Sequence, residues 1–311
     1  MTAGRPRVVV LRALGLGDLL TAVPAMRAVG PAFPGRWRLL ACPAALAPLV
    51  RLGGLADEVV PTAGLDGPLH PRLAGAEVAV NLHGRGPESH ELLLAARPGR
   101  LLAFAHPAVP ASAGAPRWRA GEHEVARWCR LLAEHGVPAD PERLELPRPR
   151  PPAAVPAGAT LVHPGAGSPA RRWPPERFAA VARAERSRGR TVLVSAGPGE
   201  GELARRVAGR AGLPAAAVHA GGDLLALAGL VANAGRVVCG DTGVAHLATA
   251  FATPSVVLFG PVPPALWGPP ERPWHRVLWA GRRGDPHGAT LDPGLAAITV
   301  DQVLEALAGL P

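Results

Sequence analysis

The sequence predicts an α/β fold of two Rossmann-like domains, each built on a doubly wound parallel sheet. Short apolar runs, of which residues 8–11 are the first, are typical of strands buried on both faces of a sheet. These runs alternate with segments of helical periodicity, and the alternation occurs twice, on either side of a proline-dense segment. A chain of 311 residues is long enough for two domains with separate cores.

The periodicity places strands and helices in the same order in both halves. In the first half, strands are predicted over residues 7–11, 37–42, 58–60, 77–82 and 100–105, and helices over 19–27, 44–52 and 122–136. In the second half, strands are predicted over 160–163, 191–195, 217–220, 237–239 and 255–259, and helices over 174–187, 203–207, 223–232, 244–251 and 300–310.

The segment from Pro147 to Pro152 contains too much proline for a helix or a central strand. We therefore predict an amino-terminal domain over residues 1–148, a linker over 149–156 and a carboxy-terminal domain over 157–311. The last helix is a candidate for packing back onto the first domain. A ligand cleft is expected at the carboxyl ends of both sheets, where doubly wound folds bind their ligands.

The net charge of +9 comes from arginine, because the sequence contains no lysine. The arginines are scattered among alanine, glycine and proline, whereas a nucleic-acid footprint clusters on one face with aromatic residues between the charges. This distribution argues against a nucleic-acid partner. It favours affinity for anionic phosphates.

Three cysteines, Cys42, Cys129 and Cys239, lie far apart without a CxxC pair, which predicts reduced structural thiols. Arg12 and Asp18 interrupt the first apolar run too early for a signal peptide, and no stretch approaches the length of a membrane span. The sequence therefore predicts a cytoplasmic protein with at most peripheral membrane contact.

The segment over residues 237–248 has the pattern of a strand, a tight turn and a helix. Gly240 and Gly243 allow a sharp turn, and Asp241 is predicted to cap the new helix. Unpaired amide groups and the helix dipole make such a helix start favourable for phosphate. An ordinary capped turn without a ligand is the alternative reading of this segment alone.

The first strand is followed by a turn that contains Gly15, Gly17 and Asp18. The turn lacks the dinucleotide-binding pattern, because Leu20 occupies the third glycine position and the second strand ends in Cys42 and Pro43 without an acidic residue. Asp18 at a helix start is expected to stay ionised and to serve as a general base. A helix cap is the alternative role.

A second glycine-containing turn follows the strand at residues 160–163. Its predicted phosphate ligands are Gly165, Gly167, Ser168, Arg171 and Arg172, which combine backbone amides with two guanidinium groups. The alternative is a solvated basic loop anchored by Trp173. We predict no metal site, because the sequence has no HExxH or DxD motif, and the histidines beside the turns (His83, His90, His163 and His246) are expected to be hydrogen-bonded structural groups.

Three motifs resemble signatures of glycosyltransferase family 9, the heptosyltransferase type. Residues 241–247 match DTGxxHL, and residues 171–174 look like the basic-x-Trp-Pro turn. Gly17-Asp18 with Thr21, Pro24 and Ala25 is similar to GDxxxTxPA, although Thr21 lies one position before the threonine of that pattern. The resemblance covers nearly the whole chain. It implies the GT-B fold, in which two Rossmann-like domains face each other across a cleft, with acceptor bound by the first domain and nucleotide sugar by the second.

The resemblance also implies a reaction and roles for individual residues. The reaction is an inverting, metal-independent transfer from a nucleotide-diphosphate sugar, typically ADP-heptose, to an acceptor hydroxyl, with no cofactor besides this co-substrate. Asp18 corresponds to the base, and Arg12 to a supporting basic residue beside Gly15 and Gly17. The implied donor site contains Arg171 in place of the usual lysine, and with it Arg172, Gly165, Gly167, Ser168, Asp241, Thr242, Gly243 and His246.

Two other activities remain open from the sequence. A hydrolysing epimerase would convert the donor without an acceptor, and a non-catalytic protein would bind the nucleotide sugar without converting it. The acceptor is a glycan, a lipid-linked molecule or a small molecule. The segments over residues 61–72 and 85–90 are expected to face it.

Overall fold

The computed structural model describes residues 5–151 and 155–311 of the chain. The chain divides into two compact units, Met1–Leu144 and Glu145–Pro311. Residues 152–154 of the predicted linker lie outside the described residues.

The first unit is built on a parallel sheet with its first strand at the centre. The strands in its described part are β1 (Arg7–Leu11), β2 (Trp37–Cys42), β3 (Glu58–Pro61), β4 (Val78–Asn81) and β5 (Arg100–Leu102). The helices are α1 (Leu16–Thr21), α2 (Val23–Ala32), α3 (Ala47–Leu52), α4 (Glu88–Ala95) and α5 (Glu124–Glu134). The strand order is β3-β2-β1-β4-β5. Strand order therefore reverses beside β1, and such a reversal opens a crevice at the carboxyl ends of the strands.

The second unit has the same architecture with one more strand in its described part. The strands are β6 (Thr160–His163), β7 (Val192–Ser195), β8 (Val218–His219), β9 (Arg236–Gly240), β10 (Ser255–Phe259) and β11 (His275–Trp279). The helices are α6 (Pro175–Ser187), α7 (Gly201–Arg210), α8 (Leu224–Asn233), α9 (Gly243–Ala250), α10 (Pro264–Trp267), α11 (Pro293–Ala297) and α12 (Val300–Ala308). The order β11-β10-β9-β6-β7-β8 puts the reversal between β6 and β9.

Every strand pair in these sheets is parallel, which confirms the predicted fold class. The central strands are buried on both faces: Val8, Val9 and Leu11 of β1 are inaccessible to solvent, as are Val237 and Val238 of β9. Burial on both faces explains why these runs are continuously apolar and do not alternate.

Four regular elements of the described chain are absent from the sequence prediction: the short helices α10 and α11, and the more substantial elements α4 and β11. Helix α4 buries the polar residues Ser89 and His90 beside Leu93, so its apolar periodicity is weak. Strand β11 lies at the edge of its sheet, where β10 is its one partner among the described strands, and most of its residues are at least partly exposed. Neither element therefore has the apolar signature on which the prediction depends.

The last helix, α12, packs within the second unit. Val303 and Leu307 are fully buried there, in the cluster that also contains Val181 of α6 and Leu258 of β10. Thr299 and Gln302 form a capping box at its start. The proposed return of this helix to the first unit stays a prediction.

The three cysteines are buried and unbridged. Burial raises the pKa of Cys42 and Cys129 to about 12, so both thiols stay protonated and poorly reactive at neutral pH. In the part of the chain that the structure describes, no helix is both long enough and apolar enough to cross a membrane.

Candidate functional site

The first polar cluster forms where β1 ends. Arg12 follows directly after the strand, and its side chain is completely shielded from solvent. Its Nε donates to the carbonyl oxygen of Asp18 at 2.9 Å, and Nη1 donates to the carbonyl oxygen of Leu82 after β4. The guanidinium carbon lies 4.7 Å from the ring centroid of Trp128, a cation–π contact. The resemblance implied a supporting role for Arg12, which stays a prediction, and the structure shows that Arg12 contacts Asp18 and is the buried centre of this cluster.

Asp18 lies in the first turn of α1, whose N-cap is Gly15. The alternative role of Asp18 as the cap is therefore wrong. Its carboxylate is 29% exposed, and Oδ1 lies 3.4 Å from Nη2 of Arg12. A Cβ atom on Gly15 would lie 3.5 Å from Oδ2, so the two residues are in contact, and Gly17 lies between them in the chain.

Burial is the largest influence on the pKa of Asp18 and raises it. The positive charge of Arg12 and backbone hydrogen bonds at Gly15 and Asp18 act in the opposite direction, and the negative charge of Glu124 adds to the increase. Desolvation of the charged form therefore outweighs the stabilisation that Arg12 and these hydrogen bonds provide. That this carboxyl stays ionised at neutral pH stays a prediction.

The buried face of α5 contributes three residues that the sequence analysis did not assign to the site. Glu124 accepts from Nη2 of Arg12 at 3.2 Å, from Nε1 of Trp128 at 2.9 Å and from Nη1 of Arg127. Arg127 donates onward to the carbonyl oxygen of Glu122 at 2.8 Å. A signal for these residues exists in the sequence, because Glu124 and Arg127 fall on the helix face that Trp128, Leu131 and Leu132 mark as buried.

The loop after β4 completes the first cluster. Nδ1 of His83 accepts from the backbone N–H of Ala13 at 3.2 Å, and burial together with the charge of Arg12 lowers the pKa of His83 to about 4. His90 is fully buried between the side chain of Asn81 at 3.0 Å and the carbonyl oxygen of Phe104 at 2.7 Å. Residue 90 therefore faces the interior, which corrects the expectation that it faces the acceptor.

The second unit has its own polar cluster at the end of β9. Thr242 is the N-cap of α9, and its Oγ1 accepts from the N–H of Val244 at 3.3 Å. The prediction that Asp241 caps this helix is therefore wrong. Asp241 turns inward, and its Oδ2 accepts from Nη2 of Arg171 at 2.9 Å. Burial raises the pKa of Asp241, and Arg171 opposes that change.

Arg171 is thus held at the start of α9. Its Nη2 also donates to the carbonyl oxygen of Asp241, and its side chain is 27% exposed. Nε of Arg171 is buried without a hydrogen-bond partner among the described residues. Arg172 is exposed, and its Nε donates to the carbonyl oxygen of Ala166 at 3.0 Å.

The predicted phosphate cradle is partly occupied by internal contacts. The hydroxyl of Ser168 donates to the carbonyl oxygen of Pro286 at 2.6 Å. A Cβ atom on Gly165 would lie 1.8 Å from Oε2 of Glu200, so a larger residue there would require the Glu200 side chain to move, whereas Gly167 has open space around it. Their contact with phosphate stays a prediction. The anchor that belongs to the alternative reading is present, because Trp173 is buried and donates from Nε1 to the carbonyl oxygen of Ile298 at 3.1 Å.

Two histidines lie at the carboxyl edge of this sheet. His163, the last residue of β6, is hydrogen-bonded through Nδ1 to Oγ of Ser195 at 3.0 Å, and its Nε2 lies 3.9 Å from Oε2 of Glu200. His246 on α9 is 9% exposed and stacks edge-on against Trp267 with 6.0 Å between ring centroids. Among the described residues, no three histidine, cysteine, aspartate or glutamate side chains are grouped to hold a metal ion.

Burial lowers the pKa of His163 to about 4 from an ordinary value near 6.5. The unfolded chain therefore binds this proton at a higher pH than the folded chain, so the contribution of His163 to stability is complete above about pH 6.5 and is lost as the pH falls toward 4. Between about pH 6.5 and pH 4, we expect the free energy of unfolding to fall by about 3 kcal/mol more in the wild-type protein than in His163→Gln. Urea unfolding at a series of pH values measures this difference. His287→Gln on the exposed surface is the control. If the free energy of unfolding depends on pH in the same way in the wild type and in His163→Gln, the lowered pKa of His163 is contradicted.

Comparison with known proteins connects these clusters to a family. Residues 114–285 match the profile of glycosyltransferase family 9 (heptosyltransferase). No curated protein matches the chain significantly. Among solved structures, a family 9 glycosyl transferase from Veillonella parvula superimposes with a TM-score of 0.80 at 19% identity, covering 99% of this chain and 98% of that one.

Two E. coli structures extend the similarity. ADP-heptose lps heptosyltransferase II aligns with a TM-score of 0.72 at 20% identity over 97% of each chain. Heptosyltransferase WaaC with ADP-2-deoxy-2-fluoro heptose aligns with a TM-score of 0.67 at 18% identity over 97% of this chain and 99% of that one. With the two parallel-sheet units, these matches show the GT-B fold. Because the profile covers more than half of the sequence, the chain belongs to glycosyltransferase family 9, the heptosyltransferase family, and is a glycosyltransferase.

Proposed function

We propose that this glycosyltransferase moves a heptose from ADP-heptose to an acceptor hydroxyl, with inversion at the anomeric carbon and without a metal ion. The observation that carries the proposal is the partly exposed carboxylate of Asp18, held at the end of the central strand by the fully buried Arg12. The bound ADP-2-deoxy-2-fluoro heptose and ADP in the two WaaC structures support the choice of donor.

Asp18 acts as the base in this proposal. Its carboxylate takes the proton of the acceptor hydroxyl while the acceptor oxygen attacks the anomeric carbon from the side opposite the diphosphate. The new carbon–oxygen bond forms as the bond to the diphosphate oxygen breaks, so the configuration inverts. The raised pKa of Asp18 favours this role, because a stronger base accepts a proton more readily.

The donor is held by the second unit. Arg171, Arg172 and the amides of Thr242 and Gly243 bind the diphosphate, supported by the turn that contains Gly165, Gly167 and Ser168, while Asp241 fixes Arg171 and His246 lies one turn further along α9. Guanidinium groups and helix-start amides stabilise the charge that develops on the leaving diphosphate. This cationic set supports a reaction that needs neither a divalent metal ion nor a cofactor.

The acceptor is bound by the first unit in this proposal. A pocket of about 510 Å³ lies beside β3 and is lined mainly by the loop over residues 61–73. This loop includes the whole of the segment over residues 61–72, one of the two that are expected to face the acceptor. A glycan, a lipid-linked molecule and a small hydroxylated metabolite are the classes to test.

We expect saturating ADP-heptose to raise the melting temperature by several degrees, because ligand at about 100 times its dissociation constant stabilises the folded state by about 2.7 kcal/mol. UDP-linked sugars should give smaller shifts.

With a panel of acceptors, transfer should continue in EDTA, and NMR of the product should show an inverted anomeric centre. Release of free sugar or an epimer from donor alone would instead identify a hydrolase or an epimerase. Binding without conversion of donor, with every acceptor tested, would identify a non-catalytic protein.

A further inference from the structure

The cluster around Arg12 contains two carboxylates but one central guanidinium. Nη2 of Arg12 lies 3.2 Å from Oε1 of Glu124 and 3.4 Å from Oδ1 of Asp18, so the same nitrogen is shared between the two acids. Glu124 is 5% exposed, whereas the side chain of Asp18 keeps a partly open surface. The buried acid is therefore the structural partner of Arg12, and the more accessible acid is the one that substrate can reach.

Glu124 is fixed from three sides. Its carboxylate accepts from Arg12, from Nε1 of Trp128 at 2.9 Å and from Arg127, and Arg127 in turn donates to the carbonyl oxygen of Glu122 at 2.8 Å. A carboxylate with this many charge-assisted contacts has little freedom to move. It holds the guanidinium of Arg12 in one orientation, between Trp128 and the first turn of α1.

We propose that Glu124 is a positioning residue for the base: it holds Arg12 and takes up part of its positive charge, so that Asp18 is only partly neutralised and can accept the proton of the acceptor hydroxyl. This inference rests on the proposed function for its catalytic consequence. The effect of Glu124 on the pKa of Asp18 can be measured without any reaction.

The direction of that influence follows from the charges around the site. Asp18 faces Arg12 and Glu124, and Arg12 also faces Arg127 and His83. Replacing Glu124 by glutamine removes a negative charge that raises the pKa of Asp18, and it leaves Arg12 with Asp18 as its remaining acidic partner. Both changes lower the pKa of Asp18.

The test is the titration of Asp18 in full-length protein labelled with ¹³C-aspartate, with Asp18→Asn identifying the signal. We expect Glu124→Gln to lower the titration midpoint of Asp18 by about one pH unit. Glu122→Gln is the matched control, because Glu122 lies just before α5 and pairs with Arg130 of that helix at 2.7 Å, whereas no hydrogen bond or ion pair joins it to Arg12 among the described residues. An unchanged midpoint in Glu124→Gln would overturn the proposal.

Kinetics provide the second measurement. The acidic limb of the kcat/KM profile should move to lower pH in Glu124→Gln, and kcat at neutral pH should fall about threefold because the base is weaker. Glu124→Asp, which keeps the charge, should restore the position of the limb. If the pH profile of Glu124→Gln overlaps that of the wild type, the inference about Glu124 is contradicted. If the wild-type protein transfers no sugar, the proposed function is contradicted, and the NMR titration then decides on the role of Glu124.

A variant with the opposite expectation covers the case in which Glu124→Gln does not fold. Arg127→Gln removes a positive charge beside Glu124, so Arg12 is drawn more strongly to Glu124 and the midpoint of Asp18 should rise. A midpoint that stays at the wild-type value, or falls, would overturn the proposal.

Discussion

Asp18→Asn is expected to lower kcat for transfer by about 10²- to 10⁴-fold, the range over which general bases contribute. The substitution keeps the shape of the side chain and its position in α1, but the amide cannot accept the proton of the acceptor hydroxyl. Affinity for ADP should change little, because the proposed nucleotide contacts come from residues of the second unit. Initial rates give the effect on transfer, and calorimetry gives the affinity for ADP.

Asp57→Asn serves as the control for this experiment. Asp57 is also an acid paired with arginine in the first unit, bonded to Arg38 at 2.7 Å at the other end of the sheet. Its loss should leave transfer intact. A wild-type rate in Asp18→Asn would show that another group removes the proton.

Arg171→Ala is expected to weaken ADP binding by about 10- to 100-fold, because a hydrogen bond to a charged group contributes about 1.5–3 kcal/mol. The same change should also destabilise the protein, since it leaves the buried carboxylate of Asp241 without its cation. Arg172→Ala, which removes an exposed guanidinium from the next position, should have a smaller effect on both quantities. Calorimetry with ADP and urea unfolding measure the two effects.

A double variant separates the two roles of Arg171. In Arg171→Ala with Asp241→Asn, the unpaired buried charge is gone, so much of the lost stability should return while ADP affinity stays low. Recovery of affinity together with stability would mean that Arg171 acts only by supporting the fold. Unchanged ADP affinity in Arg171→Ala would exclude it from the donor site.

The sequence predicted the parts of the site that depend on local order. Asp18 follows a buried strand and a glycine-containing turn, and this pattern is enough to place it at a helix start beyond the carboxyl end of the strand. The start of α9 was predictable for the same reason. In both places the chain goes directly from a strand to a helix, so sequence neighbours are also neighbours in the structure.

The remaining features depend on contacts between distant positions. Glu124 lies 112 residues from Arg12 in the sequence, and only the packing of α5 brings them together. The choice of cap on α9 has the same origin, because Asp241 and Thr242 are both suitable capping residues. Arg171, 70 residues away, pairs with Asp241 and leaves the cap to Thr242. The capping preferences of the two residues therefore do not show which of them caps the helix.

The hydroxyl cap on α9 has a consequence for the electrostatic potential at the end of this helix. An aspartate cap would place a full negative charge against the positive end of the helix dipole and would repel an anion from the same position. Thr242 satisfies one amide group without adding charge, while the charge of Asp241 is balanced by Arg171. The helix start therefore keeps its positive potential, and an arriving diphosphate would be the first anion to neutralise it.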